Sequence, residues 1–310
     1  MKNLMIALLA LTTLLTSCKP AKLLQAPTTY KPGYHFTLEQ ETTSETTMTI
    51  SEEQQDQVSN NIAEYTYQVS ETLPDGRLRW DMVITRYRLT ESDGDGNVTS
   101  FDSQDPDRDT MNIKMRMVGK MIGHNMKMTT TPDGEILDFS GANALFDKVL
   151  SEFADRPEIA PLIDNITNAY GDSAMVETVR NMWGYLPKKP VRIGDKWKTT
   201  KKLGGILNMD AHYTHTLKSR NEQVAIVDTK TVLSAVPGKP GGMEMGSIKI
   251  TYDLKGKGQG STNISQPDGT LQSSVHVIEM KGKMYMEITG QPKMDVPIST
   301  RTTVKTKRMD

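Results

Sequence analysis

The tripeptide Pro-Asp-Gly occurs three times in this chain, each time between two segments with the composition of β-strands. The copies are Pro74-Asp75-Gly76, Pro132-Asp133-Gly134 and Pro267-Asp268-Gly269. Proline presets φ, the aspartate side chain accepts hydrogen bonds from the turn, and glycine adopts a positive φ, so the tripeptide favours a tight reversal. Tyr65, Tyr67 and Val69 alternate with polar residues before the first copy, which is typical of a strand with one buried face. Antiparallel hairpins are therefore predicted.

A different pattern interrupts the strand-like sequence over residues 141–186. Leu145, Phe146 and Val149 are spaced so that they share one face of a helix. Proline and glycine punctuate the segment, which predicts two or three amphipathic helices. Asp172 is predicted to cap the helix that follows it. A further short helix is predicted within 107–118, where a strand is the alternative.

These patterns predict an α+β fold that is rich in β-structure. Two antiparallel, curved sheet modules, residues 31–140 and 187–310, would be joined by the helical segment at 141–186. Gly33 and Gly194 open the two β-rich regions, and an aromatic residue follows each of them three positions later. Together with the Pro-Asp-Gly hairpins near their ends, this spacing suggests that the two modules are copies of one unit.

The first eighteen residues have the pattern of a bacterial secretion signal. Lys2 precedes the apolar run Leu4–Leu15, and small residues separate that run from Cys18. A charged start, an apolar centre of about 7–15 residues and small residues before a cleavage site are typical of signal peptides. We therefore predict a signal peptide at residues 1–17 and a flexible tether at residues 18–30.

Cys18 is the single cysteine of the chain, which excludes an intramolecular disulfide and a cysteine-based metal site. Its setting, Leu15-Thr16-Ser17-Cys18, resembles the lipobox of bacterial lipoproteins. The resemblance implies that Cys18 becomes the first residue of the mature protein and carries acyl chains, palmitate among them, that bind membrane lipid. It also implies a lipid-anchored location in the cell envelope, and Lys19 favours the outer membrane, facing the periplasm.

The bulk composition excludes several classes of partner. The net charge of −1 gives no reason to expect a nucleic acid. The sequence has no second apolar stretch of about 18 residues that would form a membrane-spanning helix. It also has no phosphate-binding glycine loop or dinucleotide fingerprint, so no cofactor is predicted.

The acidic segment at 93–109 resembles part of a calcium-binding loop. Asp93, Asp95 and Asn97 match the first three ligand positions, but Val98 and Gln104 replace the glycine and the glutamate of such loops. Weak calcium binding is therefore one hypothesis, and a solvated hairpin loop without a metal is the other. We predict no other metal site.

No set of residues has the pattern of a catalytic site. Gly171-Asp172-Ser173 resembles the start of an esterase motif, but it lies between two predicted helices and no histidine follows His276. His212 and His215 are three positions apart, so a regular strand would place them on opposite faces. We therefore predict a protein that is not an enzyme.

Methionine is frequent, with 20 residues in the chain, and its flexible side chain adapts to irregular apolar shapes. We hypothesise a non-enzymatic binding or scaffolding protein that holds a hydrophobic ligand between its β faces and its helices. One alternative is a module that binds another envelope protein through sheet edges or the 93–109 loop. The other is an unrecognised hydrolase that uses scattered acids such as Asp195 or Asp133.

Three phrases of the sequence resemble those of one bacterial family. They are Leu186–Trp197, Val118–Lys120 followed by Pro132–Gly134, and Leu254–Gly258. These phrases are similar to those of envelope lipoproteins grouped as domain of unknown function 6263, and the resemblance covers most of residues 30–290. The resemblance implies an envelope location, and it does not imply any activity, catalytic residue or cofactor.

Overall fold

The computed structural model describes residue 24 and residues 30–105, 113–131, 134–151, 171–173, 175, 176, 179, 186–203, 207–238, 241–245 and 247–310. Within these residues two helices with defined bounds are α1 (Ile113–Met121) and α2 (Ala142–Ser151). The strands are β1 (His35–Ile50), β2 (Glu53–Thr72), β3 (Leu78–Ser92), β4 (Val98–Asp102), β5 (Asn125–Thr130), β6 (Ile136–Ser140), β7 (Lys196–Leu203), β8 (Met209–Arg220), β9 (Val224–Ala235), β10 (Gly241–Met245), β11 (Ile248–Ser265), β12 (Leu271–Ile288) and β13 (Met294–Arg308).

All of these strands belong to one open antiparallel sheet. Its order is β6-β5-β3-β2-β1-β13-β12-β11-β9-β8-β7, with β4 paired to β3 and β10 paired to β11. β11 and β12 each have 18 residues, so the sheet is roughly 60 Å long in the strand direction at about 3.3 Å per residue. Such a sheet presents two broad faces, and each strand contributes alternate side chains to them.

β1 and β13 are far apart in the sequence and pair at the centre of the sheet. Eleven residue pairs join them, from Leu38–Arg308 to Met48–Ile298. The prediction of a β-rich, antiparallel structure is therefore confirmed. The two predicted modules do not form separate sheets, because the edges of the two β-rich regions satisfy each other's backbone N–H and C=O groups.

The three Pro-Asp-Gly turns lie where the sequence predicts them. They connect β2 to β3, β5 to β6 and β11 to β12. Gly76, Gly134 and Gly269 have φ angles of 84°, 86° and 67°, in the left-handed region that glycine tolerates. Pro132 and Asp133 lie outside the described residues. The pairing of the flanking strands confirms all three hairpins.

The helical predictions are confirmed where the structure describes them. α1 begins at Ile113, so the described part of 107–118 is a helix and not a strand. Met115 of α1 packs on Leu89 and Phe101 of the sheet. α2 lies within the predicted helical segment, and residues 172, 173, 175, 176 and 179 are also helical. Residues 106–112 and 152–170 lie outside the described residues.

Asp172 caps the start of α2, a helix that precedes it in the chain. Its Oδ1 accepts hydrogen bonds from the backbone N–H groups of Ala142 at 2.7 Å and Asn143 at 3.2 Å. In return, Asn143 Oδ1 accepts the backbone N–H of Asp172 at 3.0 Å. These bonds satisfy N–H groups that helix starts leave without an internal partner. Asp172 is therefore a helix cap, as the sequence predicts, and it links two helix starts. Residue 174, in the helix that follows Asp172, lies outside the described residues.

The two faces of the sheet differ in chemistry. We call the face that carries Phe36, Tyr67, Trp80, Val227 and Leu254 the inner face, because these side chains are buried. The opposite, outer face carries cross-strand ion pairs. They are Arg86–Asp102 at 2.7 Å and Lys305–Glu41, Lys307–Glu39 and Arg301–Glu279 at 3.0 Å each. Exposed pairs of this kind contribute at most about 1 kcal/mol each, so the inner face is the main source of stability.

Two apolar clusters fill the inner face at one end of the sheet, which we call the capped end. The larger cluster lies between α2 and the strands around β1, β2 and β3. Its buried members include Phe36, Tyr67, Trp80, Met82, Met126, Met128, Phe139 and Phe146. The smaller cluster contains Leu217, Val227 and Ile264. Trp80 Nε1 donates to Thr130 Oγ1 at 3.1 Å, which satisfies the buried indole N–H.

Two described residues of the predicted tether contact the sheet. Leu24 is 1% exposed, forms a β-bridge with Val191 and packs in the smaller cluster. Tyr30 packs against Trp80 with ring centroids 5.2 Å apart. At these two positions residues 18–30 therefore lie on the body of the protein instead of extending from it. Burial of apolar surface is the physical reason.

Asp268, in the third Pro-Asp-Gly turn, joins three parts of the chain at the capped end. Its Oδ2 accepts hydrogen bonds from the Tyr34 hydroxyl at 2.7 Å and from Arg308 Nη1 at 2.9 Å. Its Oδ1 accepts the backbone N–H and the hydroxyl of Thr270 at 3.1 and 2.7 Å. Burial alone would raise the pKa of Asp268, but the hydrogen bonds that it accepts, first from Ser265 and then from these three residues, hold that pKa far below its usual value.

We expect Asp268→Asn to lower the free energy of unfolding at pH 7 by about 2 kcal/mol, because the charge-assisted hydrogen bond to Arg308 is lost. Folding lowers the pKa of Asp268, so its contribution is present above the unfolded pKa of about 3.9 and is lost as the pH falls below that value. Urea unfolding at several pH values should show the variant and the wild type converging in acid.

Asp75→Asn is the matched control for this experiment. Asp75 has the same place in the first Pro-Asp-Gly turn, but its salt bridge, 2.7 Å long, is with Arg77 two residues away. Both side chains are about half exposed, so the change should be small. Equal losses in the two variants would show that Asp268 acts only within its own turn.

Candidate functional site

A third apolar cluster lies on the inner face at the other end of the sheet, which we call the open end. Its buried members are Met209, Ala211, Leu233 and Leu254. Its partly buried members are Leu203, Leu207, Tyr213, Tyr252, Ile278, Met280 and Ile298. No member of this cluster comes from α1, α2 or the other helical positions that the structure describes. Seven large side chains of this open-end cluster therefore keep part of their surface accessible.

A belt of polar side chains crosses the inner face between the two ends. The register pairs Ser44 with Thr302, Thr46 with Thr300 and His215 with Thr229. The members of the belt are Ser44, Thr46, Thr199, His215, Thr229, Thr231, Thr262, His276, Thr300 and Thr302. Hydroxyl groups pair across strands in this polar belt. Ser44 Oγ lies 3.1 Å from Thr302 Oγ1, and Thr46 Oγ1 lies 3.1 Å from Thr300 Oγ1. The belt divides the capped end from the open-end cluster.

His215 is a belt residue that is only 3% exposed. Its Nε2 lies 2.9 Å from Thr199 Oγ1, and its Nδ1 lies 2.9 Å from Thr229 Oγ1. Trp197 stacks on the imidazole with centroids 5.3 Å apart. Burial, followed by the positive charge of Lys201, lowers the pKa of His215 to about 4. The ring is therefore neutral at pH 7, and both of its nitrogens already have partners.

His276 occupies a similar place on β12, opposite Gly260 of β11. A Cβ at Gly260 would come within 2.2 Å of His276 Nδ1 and 2.5 Å of the Val275 carbonyl oxygen. Glycine is therefore needed at this position, because the imidazole lies across β11. His276 Nε2 is 3.2 Å from Thr262 Oγ1. Burial and the charge of Lys201 lower the pKa of His276, so this ring is also held in its neutral form.

Lys201 places a cation on the inner face where the polar belt meets the open-end cluster. It lies on β7 opposite Ala211, and its Nζ is 5.3 Å from the ring centroid of Tyr213. Burial raises the pKa of Tyr213, so the phenol is neutral and its ring face can attract the ammonium group. The site therefore combines an ammonium group, neutral imidazoles and hydroxyls with an adjoining apolar surface.

The structure separates the two neighbouring histidines of β8, as the sequence predicts. His215 is buried on the inner face. His212 is exposed on the outer face, where its Nδ1 lies 3.1 Å from Thr200 Oγ1. The pair therefore cannot bind one metal ion.

The calcium candidates form an exposed turn between β3 and β4. The Asp93 carboxylate accepts hydrogen bonds from the backbone N–H of Asp95 at 3.1 Å and from the backbone and side-chain amides of Asn97 at 2.8 and 2.9 Å. Hydrogen bonds from Asn97 lower the pKa of Asp93. The Asp93 carboxylate is thus already engaged in the hydrogen bonds that form this turn. Among the described residues no group of three or more His, Cys, Asp or Glu side chains is placed to hold a metal ion.

The other candidates from the sequence lie apart from the open end. Asp195 is exposed, and its Oδ2 accepts the backbone N–H of Arg192 at 2.8 Å within a turn. Cys18 and Asp133 lie outside the described residues. Of the helices that the structure describes, none is long and apolar enough to cross a membrane.

Sequence reasoning did not find the polar belt or Lys201. The belt exists only when seven strands are placed in register, and its members are ordinary strand residues. A local signal was present at Lys255–Gly260, where every second residue is glycine. In a strand with this alternation, the glycines leave one face without side chains. A side chain from a neighbouring strand, such as His276, can then lie over that face.

Comparison with known proteins identifies the family. Residues 75–271 match the family of unknown function DUF6263, and this match covers more than half of the chain. The protein therefore belongs to that family, and the resemblance is confirmed. No curated protein matches the sequence.

Solved structures give only distant similarity. Lipovitellin, in a structure titled for its lipid–protein interactions, aligns at 10% identity and a TM-score of 0.49, over 91% of this chain. This chain covers only 26% of the lipovitellin chain. OccK5 of Pseudomonas aeruginosa aligns at 7% identity and a TM-score of 0.23, over 89% of this chain and 98% of its own. The translocator domain of NalP from Neisseria meningitidis aligns at 8% identity and a TM-score of 0.19, over 90% of both chains. At these scores the alignments carry no conclusion about function.

We expect the stability of the wild type to fall as the pH decreases from about 6.5 to about 4. In this window the unfolded state binds a proton at His215 that the folded state excludes, since folding lowers that pKa to about 4. The loss should total about 3 kcal/mol at this site. His215→Gln should weaken this pH dependence of the urea midpoint, leaving the smaller slope from His276.

His212→Gln is the control, because His212 lies on the same strand and is exposed. It should keep the pH dependence of the wild type. A His215→Gln variant whose unfolding midpoint still changes with pH as strongly as that of the wild type would contradict the assignment.

Proposed function

We propose that this protein is a non-enzymatic binding protein of the bacterial cell envelope that holds an apolar ligand on the inner face of its open end. The observation that carries the proposal is the open-end cluster. Its partly buried members, Tyr252, Ile278, Met280 and Ile298 among them, have no described helix over them. The larger cluster at the capped end, in contrast, packs directly on α2.

The energetics favour a ligand with a substantial apolar part. Covering exposed apolar surface gains about 25 cal/mol per Å², or about 0.8 kcal/mol for each buried methylene group. A surface of partly accessible methionine, isoleucine and tyrosine side chains suits this role, because methionine adapts its shape to the ligand. The polar belt limits such a ligand to one end of the sheet.

An acyl anchor on Cys18 is part of the proposal, and its support is the lipobox-like sequence. Leu24 lies six positions after Cys18, which is at most roughly 20 Å of extended chain. Leu24 packs in the smaller cluster. The anchor would therefore hold the capped end near the membrane and leave the open end facing away from it, towards the periplasm in the case of the outer membrane.

The edge strands of the sheet are relevant to the alternative function, in which another envelope protein binds at a sheet edge. β7 is an edge strand, and its outward lysines, Lys196, Lys198 and Lys202, are exposed. Charged edges of this kind discourage strand addition. The edge of β7 therefore favours ligand binding on the face over partner binding at the edge.

We expect the full chain, freed of bound lipid, to bind the apolar fluorophore N-phenyl-1-naphthylamine, and Met280→Glu to weaken that binding at least tenfold. A carboxylate at this position would be desolvated by an apolar ligand, which is unfavourable. Fluorescence titration measures the affinity, and circular dichroism checks that the variant is folded.

Val232→Glu is the matched control for this binding experiment. Val232 is 58% exposed on the outer face of β9, and the change should leave probe affinity within about twofold of the wild type. Binding that both variants weaken equally would place the ligand elsewhere. Absence of binding to the wild type would refute the proposal.

We expect the wild type, produced in a bacterial host, to be found in the membrane fraction and to incorporate a labelled palmitate analogue. Cys18→Ser should abolish labelling and move the protein to the soluble fraction, since stable anchoring depends on acyl chains. Lys19→Gln is the control and should leave labelling unchanged. Labelling of the Cys18→Ser variant would contradict the predicted anchor.

A further inference from the structure

A β-bulge in β8 turns Arg220 onto the inner face at the capped end. The register of β8 against β9 shifts between Leu217 and Ser219, so that Arg220 lies opposite Ala225, a buried member of the smaller cluster. Without the extra residue, the alternation of the strand would direct Arg220 to the outer face. Bulges are found where a strand re-aims a side chain. This bulge therefore brings a guanidinium group to an apolar surface.

The charge of Arg220 has no described partner within the protein. Its Nη1 is buried and donates no hydrogen bond. Burial lowers the pKa of Arg220, and no described carboxylate counteracts this effect. Arg308, which lies over the Phe36 ring at the same end, instead donates from its Nη1 to Asp268 at 2.9 Å and to Thr270 at 2.7 Å. A partly buried guanidinium without an acceptor is unfavourable, so an anion from outside the chain would complete this site.

Part of the Arg220 guanidinium can be reached from solvent. The residue as a whole is half-buried, and Nη1 is the one nitrogen of its side chain that is both buried and without an acceptor. Nε and Nη2 can therefore donate to an incoming anion. Two such donors in one plane form the fork that binds phosphate oxygens in pairs.

A turn beside this end of β8 carries an exposed isoleucine. The N–H of Gly194 donates to the Leu217 carbonyl at 2.8 Å, and the N–H of Leu217 donates to the Asp195 carbonyl at 3.1 Å. Ile193, within this turn, is 61% exposed, and its neighbour Arg192 is also exposed. A large apolar side chain next to basic groups suits the interface between the head groups and the acyl chains of a membrane.

The segment that would carry the membrane anchor joins the sheet at the same corner. Leu24 forms a β-bridge with Val191, two residues before Ile193, and packs in the smaller cluster with Ala225. An acylated Cys18 would keep Leu24 within roughly 20 Å of the membrane. This proximity favours the phosphate of a membrane lipid over a phosphate from solution.

We propose that Arg220 binds the phosphate group of an anionic phospholipid, and that Ile193 contacts the acyl chains of the same lipid. This inference rests on the proposed function through the anchor at Cys18. It adds a lipid contact at the capped end, separate from the apolar ligand of the open end. Basic pockets close to a membrane recognise lipid head groups in this way, and the contact would fix the orientation of the sheet relative to the membrane.

The test measures the binding of three soluble probes to the full chain by isothermal titration calorimetry at pH 7.5. N-phenyl-1-naphthylamine is present throughout to saturate the open end. The probes are dihexanoyl-phosphatidylglycerol, which is anionic, dihexanoyl-phosphatidylcholine, which is zwitterionic, and inorganic phosphate, with both lipids kept below the concentrations at which they form micelles. We expect the anionic lipid to bind at least about tenfold more tightly than either of the other two, because it alone has both a net charge for Arg220 and acyl chains for Ile193. Arg220→Gln should abolish this preference, whereas Arg220→Lys should keep part of it, since lysine has the charge without the fork.

Lys218→Gln is the matched control, because it removes the same charge two residues earlier on β8. Lys218 is exposed and pairs with Asp228 at 3.2 Å, so this variant should keep the preference of the wild type. Equal loss of the preference in Lys218→Gln and Arg220→Gln would show a general effect of charge and overturn the assignment. A wild type that binds the two lipids equally would also overturn it, whether or not the variants fold. Inorganic phosphate that binds as tightly as the anionic lipid would overturn the assignment to a lipid.

Urea unfolding separates a binding role of Arg220 from a structural one. Arg220→Gln should not lower the urea midpoint, because the charge that it removes has no described partner in the folded protein. A lower midpoint would assign Arg220 to the stability of the fold and overturn the site. A wild type that prefers the anionic lipid but does not bind N-phenyl-1-naphthylamine would refute the proposed ligand of the open end and support the site at Arg220.

Discussion

The pairing of β1 with β13 is the contact on which the rest of the structure depends. Hydrogen bonding along eleven residue pairs makes one sheet from two regions that are far apart in the sequence. The same contact brings Arg308, at the end of β13, to Asp268 and Tyr34. Pairing two strands so far apart in the sequence closes a long loop, which costs more conformational entropy than forming a local hairpin. Side-chain contacts around Asp268 help to offset that cost, because they form only when both ends of the chain are in place.

The long strands explain how one sheet can have two kinds of inner surface. A strand of 18 residues places about nine side chains on each face, which is more than the helices of the capped end cover. At the capped end the inner face packs against α2 and becomes a core. Beyond the polar belt the same strands carry apolar residues without a described helix above them. The belt thus marks the boundary between a packed core and an apolar surface that no described helix covers.

Local chemistry made much of the fold predictable. The hairpin at Pro74-Asp75-Gly76, the helix at Leu145 and the opposite faces of His212 and His215 all follow from spacing over a few residues. The single sheet did not follow, because pairing Leu38 with Arg308 depends on which edges remain free after the hairpins form. The cap that Asp172 provides to α2 did not follow for a related reason, since α2 starts 30 residues earlier in the chain. Lys201 was overlooked because its surroundings come from strands far along the chain.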